Sequence, residues 1–321
     1  MKALVLQDIG KLCAETRDIP SVQPAEALVR VLYCGICRTD AKMWRHGHRD
    51  LVLPRVPGHE VAARDEKTGQ RYVLWPGKAC GRCIHCSRGS ENLCVNMQVM
   101  GFHRDGGFAD YVVMPADALI TIPETLGGPV ACFSEPLACA LNALDQAGMS
   151  PGSRVLIYGG GTVGLLTALA VQYEGGEPLV VETSSTKLQK SSPFRTTTKI
   201  RAGETPGAEC FDIIINAAPS VETFTQAIPL LRQGGCYCLF SGLPATETVP
   251  VSVINDIHYR QLHVVGAYGC TRRQMERAVR ILDSRGGAAE LLIEESITLE
   301  QAADAVAKTA AGETFRFIIS M

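Results

Sequence analysis

The sequence has no long apolar run, no excess of charge of one sign and no secretory signal. Lys and Arg number 31 against 33 for Asp and Glu, for a formal net charge of −2 over 321 residues. A membrane-spanning helix needs about twenty consecutive apolar residues, and nucleic acid or an anionic membrane attracts a basic face. The first ten residues carry Asp8 within their apolar stretch and lack the hydrophobic segment of a signal peptide. We therefore predict a cytoplasmic protein that binds neither nucleic acid nor membrane.

Cysteine is too sparse, and odd in number, for a disulfide scaffold. The chain has 13 cysteines in 321 residues, whereas disulfide scaffolds exceed about 8% cysteine. In a reducing compartment, clustered cysteines are more often metal ligands or buried thiols, so their spacing must decide. Seven that lie in or beside apolar runs are predicted core thiols: Cys34, Cys132, Cys139, Cys210, Cys236, Cys238 and Cys270.

The pattern of apolar residues changes along the chain and predicts two domains. Short apolar runs punctuated by Gly and Pro indicate a mainly β domain over residues 1–149, which ends in a helix. Strand and helix patterns alternate over 150–266, which indicates a doubly wound parallel sheet with helices on both faces. Within it, the polar segment 183–199 only poorly supports the crossover helix expected there. Residues 267–321 carry helices and two short strands that we expect to return to the first domain.

A glycine-rich turn opens the first helix of the second domain. Gly159-Gly160-Gly161-Thr162-Val163-Gly164 has the spacing G-x-G-x-x-G and follows the apolar strand 154–158. This context predicts a dinucleotide site in which Gly161 lets the backbone approach the pyrophosphate and the helix N-terminus stabilises its charge. Glu182 ends the next strand, where an acid binds the ribose hydroxyls and repels a 2′-phosphate. We expect NAD rather than NADP at Gly159, Gly161, Thr162, Val163, Gly164 and Glu182; the alternative is a tight turn without a ligand.

Four closely spaced cysteines predict a metal site. Cys80, Cys83, Cys86 and Cys94 follow the pattern C-x2-C-x2-C-x7-C in a polar, glycine-containing segment. Four thiolates close a tetrahedral zinc shell and leave no open position, which is typical of a structural site. Two alternatives remain open: an iron–sulfur cluster, which thiolates also hold, and four ordinary buried cysteines.

A second set of potential ligands is scattered along the chain. Cys37 and Asp40 follow the first long strand, His59 and Glu60 precede another strand, and Glu135 begins the predicted helix 134–148. Mixed Cys, His and carboxylate ligands with one open position describe a catalytic zinc. Taken singly, however, each residue is as well explained by core packing or surface exposure.

The order of these motifs resembles that of the zinc-dependent medium-chain alcohol dehydrogenases. The matching segments are Gly35-Ile36-Cys37-Arg38-Thr39-Asp40, Gly58-His59-Glu60, the four-cysteine segment and the glycine turn. Ser134-Glu135-Pro136-Leu137-Ala138-Cys139 is similar to the sorbitol, glucose and threonine dehydrogenase branch. The resemblance implies a GroES-like β-rich catalytic domain followed by a Rossmann domain.

The resemblance also implies residue roles. Cys37 and His59 would bind the catalytic zinc, and Glu135 would complete its shell directly or through water. Glu60 matches an acid that exchanges with water on the metal, and Asp40 would orient the His59 ring. As a separate hypothesis, Thr39, two residues after Cys37, would pass the substrate proton towards solvent, directly or through the cofactor ribose.

The chain also departs from the family pattern. Val61-Ala62-Ala63 stands where the family has a glycine, the stretch between Glu60 and Cys80 is shorter than usual, and Lys42 replaces a histidine that often ends the proton relay. These departures concern the relay and the substrate pocket rather than the zinc ligands.

The sequence therefore predicts an NAD-dependent zinc oxidoreductase acting on a secondary alcohol of the polyol, sugar or amino-alcohol type. It is expected to hold two zinc ions per chain and to form a homodimer or homotetramer. The alternatives are a non-catalytic nucleotide-binding relative and a zinc-binding interaction protein.

Overall fold

The computed structural model describes residues 1–207, 209–244 and 246–321. It divides into two compact units, one of residues 1–138 and 270–321 and the other of residues 139–269. The boundaries predicted from the sequence lie after residue 149 and after residue 266, whereas the two units divide after residue 138 and after residue 269. No helix within the described ranges is long and apolar enough to cross a membrane.

The first unit is built mainly from short strands. Its main sheet has the order β16 (Ile293–Thr298), β17 (Arg316–Ser320), β3, β4, β5 and β9, with β8 paired to β3, and two small sheets pair β1 with β2 and β6 with β7. The strands before the second unit are β1 Lys2–Asp8, β2 Lys11–Thr16, β3 Glu26–Gly35, β4 Glu60–Arg64, β5 Arg71–Leu74, β6 Gly77–Lys78, β7 Gln98–Val99, β8 Tyr111–Pro115 and β9 Leu119–Thr121. The helices are α1 Arg38–His46, α2 Ile84–Ser87, α3 Gly128–Ala131 and α4 Ser134–Gln146, with single 3-10 turns at Glu91–Leu93 and Ala116–Ala118.

The second unit has a six-stranded parallel sheet in the order β12-β11-β10-β13-β14-β15. The order reverses beside β10, which is where doubly wound folds bind ligands. Its strands are β10 Arg154–Tyr158, β11 Glu177–Val181, β12 Arg201–Gly203, β13 Phe211–Asn216, β14 Leu231–Leu239 and β15 His263–Gly266. Its helices are α5 Thr162–Tyr173, α6 Ser185–Lys190, α7 Ser192–Thr198, α8 Val221–Ala227 and α9 Val251–Tyr259, with a 3-10 turn at Ile228–Leu230.

The weakly predicted crossover in the second unit consists of two short helices. The Ser184 hydroxyl accepts the backbone N–H of Lys187 and caps α6. Pro193 lies in the first turn of α7, where its missing N–H removes no helical hydrogen bond. A capping hydroxyl at the start of α6 and a proline in the first turn of α7 therefore favour helices in a segment whose apolar periodicity is poor.

The C-terminal segment, from residue 270, belongs to the first unit. It comprises α10 Arg272–Glu290, β16 Ile293–Thr298, a 3-10 turn at Leu299–Gln301, α11 Ala302–Ala311 and β17 Arg316–Ser320. β17 pairs antiparallel with β3, so that Ile318 lies opposite Gly35. Gly35 in turn lies opposite Glu60 on β4. This register brings the ends of three strands together beside α1.

One cysteine differs from the core-thiol prediction. Cys34, Cys132, Cys236, Cys238 and Cys270 are buried and Cys139 is half-buried, but Cys210 is exposed. Cys210 directly precedes β13 rather than lying within it, so the adjacent apolar run does not bury its side chain.

Candidate active site

The turn between β3 and α1 fixes Cys37 and Asp40. Cys37 is the N-cap of α1, and its Sγ accepts the backbone N–H of Thr39 at 3.4 Å. Asp40, three residues later, accepts the backbone N–H of Cys37 at 2.8 Å. This reciprocal capping box satisfies two N–H groups that would otherwise lack partners. It therefore positions a thiol and a carboxylate from one short sequence.

Asp40 also connects this turn to the start of β4. Its Oδ1 accepts the backbone N–H of Gly58 at 3.3 Å and lies 3.4 Å from His59 Nδ1. Burial opposes a charge on His59, but the Asp40 carboxylate outweighs it and raises the His59 pKa well above its usual value. A proton held at Nδ1 leaves Nε2 available as a ligand atom. This is the arrangement expected of the orienting role proposed for Asp40.

Glu60 is a completely buried acid whose counterion is Arg316. Its Oε2 lies 3.0 Å from Arg316 Nε, and both side chains are at most 5% exposed. Arg316 also donates from its guanidinium to the carbonyl of Ile36 at 2.7 Å. A Cβ on Gly35 would overlap the Glu60 carboxylate, so glycine is needed at that position. Burial raises the pKa of Glu60 well above its usual value, although Arg316 opposes the shift.

Three potential ligands converge here. Cys37 Sγ, one ring nitrogen of His59 and one carboxylate oxygen of Glu60 lie within 4.8 Å of one another. Ligand atoms around a tetrahedral zinc are separated by roughly 3.3–3.8 Å, so small side-chain adjustments would fit the ion. Burial disfavours the Cys37 thiolate, but Arg316 and His59 lower the Cys37 pKa to about 7. The thiol is therefore readily deprotonated for metal binding.

Glu135 lies elsewhere in the same unit. It occupies the first turn of α4, is 9% exposed, and has its carboxylate within 4.8 Å of the Cys270 thiol. Its negative charge contributes to raising the pKa of both Glu60 and Arg316. The structure thus groups Cys37 and His59 with Glu60 rather than with Glu135, the third ligand inferred from the family resemblance.

The four-cysteine segment forms a compact cluster. Cys80, Cys83, Cys86 and Cys94 bring their Sγ atoms within 4.8 Å of one another. Backbone N–H groups donate hydrogen bonds to two of the sulfurs. Cys94 Sγ accepts from the N–H of Cys80 at 3.2 Å. Hydrogen bonds from the backbone of Cys86 and Val95 lower the pKa of Cys83 to about 6. Backbone donors that stabilise thiolates, with four sulfurs in one shell, fit a zinc ion.

The glycine turn has the shape expected of a pyrophosphate cradle. Gly159 has φ +107°, and a Cβ on Gly164 would overlap the Gly159 carbonyl oxygen. Gly161 is the N-cap of α5 and makes no side-chain cap, while nothing lies within 4 Å of its Cβ position. Thr162 and Val163 begin the helix, and the first N–H groups of a helix have no partner within it, so they are available to a ligand.

Glu182 lies directly beside this turn. Its carboxylate accepts the backbone N–H of Gly160 and that of Ser184, each at 2.9 Å. Lys187 Nζ approaches the same carboxylate at 3.8 Å. The acid predicted to bind the ribose therefore lies next to the glycine turn, and the Lys187 ammonium group lies close to its carboxylate.

Sequence reasoning did not predict the contacts made by Gly35, Arg316 and Lys187. The buried ion pair of Arg316 could have been predicted from the sequence. A single arginine at the start of the apolar strand Arg316-Phe317-Ile318-Ile319 needs a buried counterion. Gly35 is recognisable only once the strand register places it opposite Glu60. Lys187 lies in the polar segment that carried little helical signal.

Comparison with known proteins places the chain among the dehydrogenases. The alcohol dehydrogenase GroES-like domain model matches residues 23–124. The D-altritol 5-dehydrogenase of Agrobacterium fabrum is 29% identical over 94% of both chains. The starvation-sensing protein RspB of Escherichia coli is 31% identical over 72% of this chain and 75% of its own.

One solved structure is similar to this protein over its whole length. A proposed zinc-binding dehydrogenase from Sinorhizobium meliloti, bound to NADP, is 31% identical with a TM-score of 0.87, covering 100% of this chain and 99% of its own. The GroES-like and Rossmann architecture expected from the sequence is thereby confirmed. The chain belongs to the zinc-dependent medium-chain alcohol dehydrogenase family, in its sorbitol-dehydrogenase-like branch.

Proposed function

We propose that the chain transfers a hydride between a secondary alcohol, of the polyol, sugar or amino-alcohol type, and NAD. The observation that carries the proposal is the convergence of Cys37, His59 and a buried carboxylate, Glu60, beside Asp40. The D-altritol 5-dehydrogenase supports the substrate class, since its name specifies a sugar alcohol. An interaction module has no need for a buried Cys–His–carboxylate group in addition to the four-cysteine cluster.

The catalytic zinc would be held by Cys37, His59 and Glu135. Glu60 is nearer to the first two, but its charge is already compensated by Arg316 at 3.0 Å. Glu135 would bind directly or through water, and Glu60 would remain the acid that can replace water. When bound, zinc supplies a Lewis acid that lowers the pKa of the substrate hydroxyl, and NAD supplies the hydride acceptor.

Residues of the chain would supply the orientation and the proton path. Asp40 holds the His59 ring by its position 3.4 Å from Nδ1. The Thr39 hydroxyl, in the first turn of α1, would accept the proton released by the substrate and pass it towards solvent. Glu60 and Arg316 compensate each other's charge where both side chains are buried.

The dinucleotide would bind at the glycine turn. Gly159, Gly161 and Gly164 would give the backbone access to the pyrophosphate, and the N–H groups of the first turn of α5, which Thr162 and Val163 open, would stabilise its charge. Glu182 would accept the ribose hydroxyls, with Lys187 beside it. The four-cysteine cluster would hold a second, structural zinc.

We also propose a homodimer or homotetramer, supported by an apolar surface at one edge of the parallel sheet. β15 is the last strand in the sheet order, and its Val264 is 40% exposed. Neighbouring segments expose further large apolar side chains, namely Val251, Ile254, Tyr259 and Tyr268. The cytoplasmic location inferred from the sequence stays a prediction.

Measuring zinc and cofactor reduction together tests the function. We expect about two zinc ions per chain by elemental analysis, and NADH formation with members of a panel of polyols, sugars, amino alcohols and simple secondary alcohols. NADP should be run in parallel. A chain that binds NADH but oxidises no alcohol, and reduces none of the corresponding ketones, would instead be the non-catalytic relative.

A further inference from the structure

A buried asparagine ends one of the two central strands of the parallel sheet. Asn216 is the last residue of β13 and is 0% exposed. β13 lies next to β10, at the point where the strand order reverses and where doubly wound folds bind ligands. A buried amide costs free energy unless its donors and acceptors are paired. The partners of Asn216 therefore indicate what its side chain does.

One atom of the amide is bound to the loop that follows the strand. Asn216 Oδ1 accepts the backbone N–H of Ala218 at 3.1 Å, and the Thr223 hydroxyl approaches the same oxygen at 3.3 Å. Because a backbone N–H only donates, the contact with Ala218 identifies this atom as the oxygen. An asparagine that accepts the N–H two residues later forms a turn with its own side chain. Asn216 therefore sets the direction in which the chain leaves β13.

The other atom of the amide is not paired in this way. Asn216 Nδ2 is buried and makes no hydrogen bond within the part of the chain that the structure describes. Ile214, two residues earlier and therefore on the same face of β13, belongs to an apolar cluster with Tyr158 and Phe224. A donor placed in such a layer without a partner does not stabilise it. What the amide provides, and an apolar side chain would not, is the Oδ1 acceptor.

The loop held by Asn216 lies against the glycine turn. The N–H of Ala217 donates to the carbonyl of Tyr158 at 2.9 Å. A Cβ on Gly159 would lie 3.1 Å from the Ala217 carbonyl group and 3.4 Å from the Ala218 nitrogen. Gly159 also has a φ of +107°, which glycine adopts without strain. A shift of the peptide between Ala217 and Ala218 would therefore be transmitted to the first residue of the turn.

We infer that Asn216 is a positioning residue for the dinucleotide. Its Oδ1 holds the peptide between Ala217 and Ala218 against Gly159, and so keeps the glycine turn in its binding conformation. The identity of the ligand rests on the proposed function. Asn216 is completely buried, so it acts through the loop rather than by touching the dinucleotide. Without Oδ1 the Ala218 N–H is released, and the loop must be ordered again when the dinucleotide binds, which weakens binding.

Two matched pairs of variants test the acceptor. Asn216→Leu has the branched shape of asparagine but no acceptor, whereas Asn216→Asp keeps an oxygen for the Ala218 N–H. Asn216→Ala and Asn216→Ser leave a similar space and likewise differ by one oxygen. In fluorescence titration with NADH, the Kd of Asn216→Leu should be at least about fivefold that of Asn216→Asp, as the loss of one hydrogen bond implies. The second pair should differ in the same direction.

Melting curves establish which variants are folded, and either pair decides if a member of the other pair does not fold. Equal Kd values for NADH within the folded pairs would show that only the size of the side chain matters at this position. That result overturns the inference and leaves the proposed function intact.

Tyr237→Phe is the control for a polar change in the same layer. Tyr237 lies opposite Ile214 on β14, belongs to the same apolar cluster and is 0% exposed. The substitution removes a buried oxygen but leaves Asn216 and the loop unchanged. We expect its Kd for NADH to stay within about twofold of that of the parent chain. A loss of affinity as large as that of Asn216→Leu would mean that binding responds to any change in this core, which overturns the inference.

Hydrogen–deuterium exchange gives a readout that needs no ligand. In the ligand-free protein, residues 217–220 should exchange faster in Asn216→Leu than in the parent chain, and Asn216→Asp should restore their protection. β11 in the same sheet is the internal reference, because global destabilisation would also speed its exchange. Unchanged exchange in the loop, or equal acceleration in β11, overturns the inference. A parent chain that binds no NADH overturns the proposed function, and the inference with it.

Discussion

Two acids of the first unit, Glu60 and Glu135, have different electrostatic surroundings. Glu60 is fully buried, with the Arg316 guanidinium 3.0 Å away. Glu135 lies at the start of α4, where an acid also stabilises the helix dipole by about 0.3–1 kcal/mol. A zinc ligand and a dipole partner differ greatly in what their removal costs, so substitution separates the two roles.

Glu135→Gln should reduce kcat more than tenfold, or reduce zinc occupancy correspondingly, with little loss of stability. The amide preserves the shape of the side chain but is a poor zinc ligand. Elemental analysis, steady-state kinetics and a melting curve measure the three quantities. Glu124→Gln, which removes an exposed acid from the same unit, is the control. Normal turnover with full zinc content would exclude Glu135 from the metal shell.

Glu60→Gln should behave differently, because it removes the carboxylate that lies 3.0 Å from the buried Arg316 guanidinium. Breaking a buried ion pair from one side costs roughly 3–5 kcal/mol, so the melting temperature should fall substantially. Urea unfolding of this variant and of Arg316→Met tests the pair. If Glu60→Gln is as stable as the parent chain, the Glu60–Arg316 contact contributes nothing measurable.

At the scale of elements, two glycines of the glycine turn have different roles. One is required by close packing within the turn, and the other leaves space for a ligand. A Cβ on Gly164 would meet the Gly159 carbonyl, whereas the Cβ position of Gly161 has open space around it. Gly164→Ala should therefore lower stability by about 1–3 kcal/mol. Gly161→Ala should leave the melting temperature unchanged and weaken NADH binding at least tenfold, measured by fluorescence titration. The reverse pattern would mean that Gly161 does not face the pyrophosphate.

The four-cysteine segment should behave as a structural element. Cys83→Ser opens the closed thiolate shell, so one zinc per chain should be lost and the melting temperature should fall by about 4–8 °C for a loss of ~2 kcal/mol. Cys210→Ser, at an exposed thiol, is the matched control. Unchanged zinc content and stability in the Cys83 variant would contradict a structural zinc.

The elements also show where sequence reasoning succeeds. The apolar strand 154–158, the glycine turn and α5 were predictable, because alternation and glycine spacing are local properties of the chain. The pairing of Glu60 with Arg316 was not, because the two residues are brought together only by the register of β17, β3 and β4. For the same reason, spacing alone could not show that Glu60 lies nearer than Glu135 to Cys37 and His59. Sequence support for the helices α6 and α7 was only weak, because their apolar periodicity is poor and their helix signals are a capping serine at the start of α6 and a first-turn proline in α7.

At the scale of the whole molecule, the remaining question is assembly, and the sheet edge in the second unit is the place to test it. An edge strand leaves backbone N–H and C=O groups unpaired, and proteins normally protect such edges with charge, proline or a covering element. β15 instead presents Val264, with Tyr259 and Tyr268 exposed nearby at 76% and 55%. A twofold axis would let the same edge pair with itself, which gives a closed, self-complementary contact.

Val264→Lys should therefore dissociate the proposed homo-oligomer. The lysine places a charge on an edge that would otherwise be covered by the second copy, so burying it there would cost more than the pairing gains. Light scattering coupled to size exclusion should show the parent chain at twice or four times 34.5 kDa, and the variant at a smaller multiple. Val22→Lys, at another exposed valine outside this sheet, should leave the mass unchanged. A parent chain that is already monomeric would refute the assembly, and an oligomer that Val264→Lys leaves intact would place the contact on another surface.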